Sequence, residues 1–228
     1  MKTMGILGGL GPQATMDFVA RVHRVSQSLL PQQWGIGYPP MLVHYHRGAP
    51  MKMEADFTPA NPLQADPKLL AAAESLGQLV DFLVIPSNTP HLFLDEIAAA
   101  AKRPFLSIIE ATLTEVQRRQ WQTVGVLEVG APRIYPDRLA SLNIACKVAD
   151  APLQEALGQE IGKVMEGRDD ANSRAVAQQA VANLRDKGVD GVILGCTEIP
   201  LLVDAADDLI NPAQLLAETA VRYAINTA

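Results

Sequence analysis

The sequence lacks the features that several large classes of protein require. Only two of its 228 residues are cysteine, and they lie far apart, which excludes a disulfide scaffold and favours a reducing compartment, the cytoplasm. No apolar run approaches the roughly 20 residues of a transmembrane helix, and the N-terminal residues enter a predicted strand without the pattern of a secretory signal. With 19 basic and 25 acidic side chains and no basic cluster, the net charge of −6 argues against a nucleic-acid partner.

What the sequence does contain is a regular alternation of strand-like and helix-like stretches, which is typical of parallel α/β folds. Its length and its hydrophobic fraction of 48% allow one large domain or two small lobes. Residues 123–127 repeat the pattern of the first strand, residues 3–7, so a second half begins there. We predict two similar lobes, residues 1–115 and 116–211, each with a short, mostly parallel sheet flanked by helices. A closing helix within 212–228 can return to the first lobe.

The same pattern predicts the individual elements. Predicted strands cover residues 3–7, 41–45, 82–85, 105–108, 123–127, 144–148, 191–194 and 209–210. Predicted helices cover residues 13–29, 69–80, 92–101, 111–120, 153–166, 171–186 and 213–225. Residues 47–66 contain several Pro and Met residues in no regular pattern, and we interpret them as a lid or a dimer contact.

Two of these strands end in similar polar sequences. The strand at 82–85 leads to Ser87, Asn88 and Thr89, and the strand at 191–194 leads to Cys196, Thr197 and Glu198. When the strands are aligned at the aspartate before each, Ser87 falls opposite Cys196, at an offset of 109 residues. Open parallel sheets bind their ligands at the carboxyl ends of the strands. The pair therefore predicts a site with one thiol and one hydroxyl.

These side chains also have purely structural interpretations. A cysteine at a strand end is more often a small buried hydrophobe, but the polar residues that follow Cys196 favour a partly exposed, reactive thiol. Cys146 lacks such neighbours and is interpreted as a residue of a strand interior. Ser87 could begin a helix-capping turn, and only the repeat favours a functional role. His91 could orient a neighbour or the substrate, or simply pack as a hydrogen-bonded side chain.

A glycine-rich turn follows the first strand. Gly9 and Gly11 could serve a dinucleotide, a tight packing turn, or a carboxylate held by backbone amides. Pro12 lacks an amide proton and no acidic residue ends the second strand, which argues against a dinucleotide. We favour the carboxylate. His44 and His46 alternate on the second strand without a third ligand nearby, so we predict no metal site.

Four motifs together resemble the cofactor-independent aspartate/glutamate racemase superfamily, most closely its aspartate racemase branch. They are GILGGLGP at 5–12, NTPH at 88–91, IEAT at 109–112 and the most specific, LGCTEIP at 194–200. The resemblance implies two pseudo-symmetric α/β lobes with the active site in the cleft between them, usually in a homodimer. It also implies that a small amino-acid substrate is racemised without pyridoxal phosphate, another cofactor or a metal.

The resemblance further implies the site residues. Most members use two cysteines on opposite faces of the α-carbon, and the matching positions here are Ser87 and Cys196. Because a hydroxyl is a weaker acid and a poorer base than a thiol, we expect unequal efficiency from the two enantiomers. Arg47, offset from the basic position of the aspartate racemase branch, is expected to hold the second carboxylate of aspartate or glutamate. The other expected substrate-binding residues are Gly9, Gly11, Asn88, Thr89, Thr197 and Glu198.

Other functions stay open from the sequence. A protein that lost the second cysteine could bind small carboxylates without catalysis. An isomerase or a decarboxylase of the same superfamily would use Cys196 in a different reaction. A nucleotide-dependent α/β enzyme ranks last, because the acidic residue expected after the second strand is missing.

Overall fold

A computed structural model describes residues 1–56, 58–130 and 133–226 of the chain. The strands in these ranges are β1 (Met4–Gly8), β2 (Met41–Tyr45), β3 (Phe82–Val84), β4 (Phe105–Leu106), β5 (Thr123–Val126), β6 (Ala145–Val148), β7 (Gly191–Ile193) and β8 (Leu209–Ile210). The α-helices are α1 (Pro12–Leu29), α2 (Pro67–Gly77), α3 (Leu94–Ala101), α4 (Ile108–Arg118), α5 (Tyr135–Ser141), α6 (Ala151–Met165), α7 (Ala171–Asp186) and α8 (Pro212–Ile225). Short 3₁₀ helices follow β3 and β7, at Thr89–Phe93 and Ile199–Leu201.

The chain forms two compact α/β units, one made of Met1–Ile108 with Ala213–Ala228 and the other of Ile109–Pro212. Each unit contains a four-stranded sheet, in the order β2-β1-β3-β4 in the first and β6-β5-β7-β8 in the second. Every pairing between these strands is parallel. The fold class predicted from the alternating pattern is therefore confirmed. The division falls at the start of α4, earlier in the chain than the boundary that we propose from the sequence.

The two sheets repeat the same register as well as the same strand order. In the first sheet Ile6 pairs with Val84, and in the second Val126 pairs with Ile193. Val84 and Ile193 are 109 residues apart, the offset that the sequence alignment of the two strand ends uses. Positions after β3 and after β7 therefore correspond one to one.

The aspartates that precede β3 and β7 have the same structural role in both units. Asp81 Oδ2 accepts a hydrogen bond from the Thr3 amide at 2.6 Å. Asp190 Oδ2 accepts from the amides of Gln122 and Thr123 at 2.7 and 2.8 Å. Each aspartate thus ties the start of one strand to the start of its neighbour, which explains why both halves of the repeat begin with the same residue.

The predicted helices agree with the structure at some ends and differ at others. Pro12 is the first residue of α1, where its missing amide proton has no intrahelical partner to lose. After α7, Gly188 adopts a left-handed conformation with φ of 68°, as a C-terminal glycine commonly does. Helix α5 is absent from the sequence prediction, because its seven residues are too few to show a helical period. Residues 47–66 contain isolated antiparallel bridges, such as Met51 to Ala65.

Each sheet is covered by a pair of helices that supplies its core. In the first unit Leu69 and Leu76 of α2 and Ile97 of α3 pack in one apolar cluster with Leu83 of β3. In the second, Leu157 of α6 and Val181 and Leu184 of α7 pack with Val192 of β7. Burial of each such side chain contributes about 1.5–3 kcal/mol, so the strand ends project from two well-packed frames. Within the described ranges, no helix has the length and apolar content of a membrane span.

Candidate active site

Cys196, Thr197 and Glu198 form a hydrogen-bonded turn after β7. Glu198 Oε2 accepts from Cys196 Sγ at 3.1 Å and from Thr197 Oγ1 at 3.2 Å. Thr197 and Glu198 are each only 3% exposed, whereas Cys196 is partly accessible. The structure thus brings together the three residues that the sequence predicts at this strand end, and it adds a direct contact between the thiol and the carboxylate.

The surroundings of Cys196 favour a thiol over a thiolate. Burial, and next the negative charge of Glu198, raise the pKa of the Cys196 thiol well above its ordinary value. Burial also raises the pKa of the Glu198 carboxyl, although the hydrogen bonds from Cys196 and Thr197 act in the opposite direction. From the sequence, the polar residues that follow Cys196 favour a reactive thiol. The tertiary structure places a carboxylate there, so Cys196 donates a hydrogen bond to Glu198.

Glu128 is a further neighbour of this turn, and it was not singled out from the sequence. It follows β5, which pairs with β7, so it leaves the sheet at the same edge as Cys196. A Cβ atom at position 195 would lie 2.8 Å from Glu128 Cγ, which requires the glycine found there. Glu128 Oε1 accepts from the amides of Ile134 and Tyr135, at 3.1 and 3.2 Å, where α5 begins. The available signal was an acidic residue directly after a strand that repeats the first one.

The charge of Glu128 also influences the thiol. Burial raises the pKa of the Glu128 carboxyl, while the two amide hydrogen bonds and the positive charge of Arg133 lower it. Its negative charge contributes to the raised pKa of Cys196, after the larger effects of burial and Glu198. Two carboxylates therefore act on one thiol.

Ser87, the other predicted catalytic residue, lies in the first unit after β3 and is 8% exposed. Its carbonyl accepts a hydrogen bond from His91 Nδ1 at 2.9 Å, and His91 Nε2 accepts from the Ile108 amide at 3.3 Å. These partners define the neutral Nδ1–H tautomer of His91. Burial, the largest influence, lowers the pKa of His91 to about 4. His91 therefore both packs as a neutral side chain and holds the main chain at Ser87.

The residues after Ser87 are placed at the same strand end. Asn88 is 7% exposed and stands at the N-cap of the 3₁₀ helix Thr89–Phe93. Its side chain makes no capping hydrogen bond to that helix. A helix-capping role, the structural interpretation of this polar run, does not account for Asn88.

Packing explains much of the glycine-rich turn. Gly9 and Gly11 have φ angles of 84° and 80°, and a Cβ atom at Gly9 would lie 2.5 Å from the His46 carbonyl oxygen. The Gly9 amide donates to Thr15 Oγ1 at 2.9 Å, and the Thr15 hydroxyl donates to the Gly11 carbonyl at 2.9 Å. A substrate carboxylate at the Gly9 amide would have to replace the Thr15 hydroxyl.

Arg47 lies just after β2 and is exposed. The neighbouring His46 is 4% exposed, and its amide donates to the Gly8 carbonyl at 2.8 Å. The His46 ring lies 3.8 Å from Asp66 Oδ2, measured from Nε2. The main chain before Arg47 is thus anchored to β1, while the guanidinium group stays at the surface.

Cys146 is placed differently from Cys196. It pairs with Val124 inside the second sheet, and burial raises the pKa of its thiol to about 11. It lies within β6 and not at a strand end, as the sequence predicts. In the part of the chain that the structure describes, no group of three or more His, Cys, Asp or Glu side chains is placed to hold a metal ion.

Comparison with protein families shows which family the chain belongs to. The family of Asp/Glu/hydantoin racemases matches residues 7–221, nearly the whole chain. The chain belongs to this family. The racemase match includes both predicted catalytic positions and every predicted substrate-binding position.

Individual racemases resemble the chain over similar lengths. The broad-specificity amino-acid racemase RacX of Bacillus subtilis is 26% identical over 227 residues, which are 96% of each protein. An aspartate racemase homologue from Pyrococcus horikoshii has a TM-score of 0.76 at 22% identity, over 98% of this chain and 99% of that one. Glutamate racemase from Francisella tularensis has a TM-score of 0.62 at 19% identity, over 100% of this chain and 84% of that one. The solved structures confirm the racemase fold that the motifs imply.

Proposed function

We propose that this protein racemises an amino acid without a cofactor, by moving the α-proton between Cys196 and Ser87. The observation that carries the proposal is the hydrogen bond of 3.1 Å from Cys196 Sγ to Glu198 Oε2. It joins a thiol at a strand end to a buried proton acceptor, which is the arrangement that proton abstraction requires. Membership of the racemase family, and a relative named as an amino-acid racemase, support the same reaction class.

On the Cys196 side, the thiol proton passes to Glu198 Oε2 and the resulting thiolate removes the α-proton of the substrate. The electron pair of the broken C–H bond remains on the α-carbon and delocalises into the α-carboxylate. A proton delivered to the opposite face from the Ser87 hydroxyl completes the inversion, and Ser87 regains a proton from water. Cys196 is a thiol again once it holds the α-proton, so Glu198 releases its proton to solvent, where it neutralises the hydroxide left by the water that reprotonated Ser87. One proton thus leaves the substrate and one arrives.

The two sides of this reaction are chemically unequal. A serine hydroxyl loses its proton far less readily than a thiol, so abstraction by Ser87 is slow. Two enantiomers have equal free energy, so kcat/KM must be the same for both. The two enantiomers can still differ in kcat, in KM and in the rate at which their α-hydrogen exchanges with solvent. We expect the enantiomer whose α-hydrogen faces Cys196 to exchange that hydrogen faster than it inverts.

Aspartate or glutamate is the substrate that we propose. Exposed Arg47, at the end of β2, has the planar guanidinium group that binds a side-chain carboxylate with two hydrogen bonds. The relatives named as an aspartate racemase homologue and a glutamate racemase support an acidic substrate. In this proposal the α-carboxylate is bound by Asn88, Thr89 and Thr197, because the Thr15 hydroxyl already accepts the hydrogen bond of the Gly9 amide in the turn at Gly9 and Gly11.

Deuterium exchange tests the proposal. Each enantiomer of aspartate and glutamate is incubated with the protein in deuterated water, and loss of the α-hydrogen is followed by NMR. Wild-type protein is expected to exchange the hydrogen, and Cys196→Ala to slow exchange about 10³-fold. Cys146→Ala is the matched control, since it makes the same change at the other thiol. Undiminished exchange of both enantiomers by Cys196→Ala would exclude this mechanism.

One observation favours a second candidate function. Only one of the two corresponding strand ends carries a thiol. A decarboxylase or an isomerase reaction that needs a single thiol could therefore use Cys196 alone. Turnover of an arylmalonate or of maleate, without exchange at the α-carbon of any amino acid, would identify that reaction. Thermal stabilisation by small carboxylates with no turnover would instead identify a binding protein.

A homodimer in the cytoplasm completes the proposal. Several large apolar side chains on and before β2 are exposed and support a protein contact, namely Trp34, Leu42, Val43 and Tyr45. Both thiols are free, in keeping with a reducing compartment. Sedimentation of the purified protein tests the dimer, and a monomer at micromolar concentration would contradict it.

A further inference from the structure

Two carboxylates beside Cys196 each have an oxygen atom that the protein does not use. Glu198 is 3% exposed, and its Oε1 is buried with no hydrogen-bond partner in the described ranges. Glu128 Oε2 is buried in the same way, and it too has no partner among the described residues. The other oxygen of each carboxylate is hydrogen-bonded, to the turn at 196–197 and to the start of α5. Each side chain is thus held by one oxygen and leaves the second unpaired.

Such oxygens destabilise the folded protein by themselves. A buried acceptor without a partner loses its hydrogen bonds to water and gains none in return, and the cost is larger when the acceptor is charged. Among the described residues, the cation whose charge acts on Glu128 is Arg133, and its Nη2 donates to Gln154 Oε1 at 2.8 Å. One of these oxygens belongs to the residue that contacts the Cys196 thiol, and the other to Glu128, which packs against Gly195 after the neighbouring strand. Two such oxygens indicate a ligand that donates hydrogen bonds and carries positive charge.

The chemistry of the cluster restricts what this ligand can be. An anion would be repelled by both carboxylates. A metal ion is not favoured, because the described residues contain no group of three or more ligands suitable for one. An ammonium group has several N–H donors and one positive charge, and it can satisfy two acceptors that approach from different directions.

We propose that Glu128 Oε2 and Glu198 Oε1 bind an ammonium group of the amino-acid substrate. This inference rests on the proposed function, since it assigns part of the substrate to the same site. The ammonium group is either the α-amino group, which every amino acid has, or a second amino group on the side chain. Glu128 is then a substrate-recognition residue, and Glu198 both accepts the thiol proton and contacts the substrate.

Replacing Glu128 by glutamine isolates this role. The glutamine amide of this variant retains an oxygen that can accept from the amides of Ile134 and Tyr135, so the start of α5 keeps its cap. The variant loses the negative charge and places an N–H donor where Oε2 was. Glu155→Gln, at an exposed position of α6, is the matched control for the loss of one carboxylate.

Binding of four probes to wild type and variants, measured by calorimetry, gives the test. Aspartate and succinate share two carboxylates, but only aspartate has an ammonium group. Lysine and norleucine share the α-amino acid, but only lysine has an ammonium group on its side chain. If the α-ammonium is bound, Glu128→Gln should weaken the binding of aspartate, lysine and norleucine about 10-fold or more and leave the binding of succinate unchanged. If the side-chain ammonium is bound, only the binding of lysine should weaken.

Three results would overturn the proposal. Equal weakening of all four probes would show that Glu128 only supports the loop. Unchanged binding of every ammonium-bearing probe by both Glu128→Gln and Glu198→Gln would show that neither carboxylate recognises the group. A wild-type protein that binds none of these probes has no such site. Absence of α-hydrogen exchange with binding intact would instead reject racemisation and leave the ammonium site in place.

Discussion

The two α/β units have the same strand order and register, yet their corresponding strand ends differ in charge. By the register, the position of Gly8, the last residue of β1, corresponds to that of Glu128 just after β5. Likewise Ser87 corresponds to Cys196, and Thr89 to Glu198. The first unit presents neutral hydroxyl and amide groups, and the second presents a thiol with two carboxylates.

This difference shows that the repeat supplies the frame and that single residues set the chemistry. In the first unit the titratable neighbour of Ser87 is His91, which burial keeps neutral near pH 7. In the second unit the thiol contacts a buried carboxylate that can accept its proton. The mechanism that we propose uses this difference: the second unit abstracts the proton and the first delivers one. The variants below test that division, from the largest expected effect to the smallest.

Glu198→Gln should remove the proton acceptor from the second unit. The glutamine amide can still accept a hydrogen bond from the thiol but cannot take its proton, so α-hydrogen exchange should fall about 10²- to 10³-fold. Exchange in deuterated water measures the effect. Glu155→Gln should exchange at the wild-type rate. If Glu198→Gln exchanged normally, the two units would not differ in the way that we propose.

Ser87→Ala should affect inversion more than exchange. Without the hydroxyl, proton delivery from the first unit should slow inversion about 10²-fold, while the enantiomer that faces Cys196 should still exchange its α-hydrogen. Polarimetry and NMR on the same samples separate the two rates. Ser141→Ala, at an exposed position of α5, is the control. Parallel loss of inversion and exchange would contradict unequal roles.

His91→Asn should change how stability depends on pH. Burial lowers the pKa of His91 from 6.5 to about 4. The contribution of the neutral side chain to the free energy of unfolding is therefore complete above pH 6.5 and is lost as the pH falls towards 4. The unfolding free energy of the wild type should therefore drop across this range by up to about 3 kcal/mol more than that of His91→Asn. Denaturant titrations at several pH values measure the difference, with His44→Asn at an exposed position as the control. Equal slopes for wild type and His91→Asn would disprove the effect.

Glu198→Gln should also make the protein more stable at neutral pH. Burial raises the pKa of Glu198, so the folded protein binds this proton more tightly than the unfolded chain does, and stability falls as the pH rises above about 4.5. Removing the charge should raise the free energy of unfolding by about 1 kcal/mol at pH 7.5, which corresponds to a rise in Tm of roughly 2–4 °C. The gain should vanish near pH 4. A gain of the same size at both pH values would show that the charge is not its cause.

Several features of the fold and site could be predicted because they depend on short stretches of chain. Alternation of strands and helices indicated the α/β class, and residues 123–127 marked the repeat. The two halves could be aligned at Asp81 and Asp190, because each of these aspartates accepts hydrogen bonds at the start of the neighbouring strand. Parallel strands end at one edge of a sheet, which is why Ser87 and Cys196 were predicted at corresponding strand ends.

The tertiary structure alone decided what surrounds those side chains. Glu128 is far from Cys196 in sequence, and only the pairing of β5 with β7 brings it to the same edge. The Gly9 amide could have bound a carboxylate, but the turn into α1 places the Thr15 hydroxyl on it. The sequence by itself determined which strand ends carry polar side chains. The contacts of these side chains with distant residues, such as Glu128 and Thr15, exist only after the sheets have formed, because strand pairing brings those segments together.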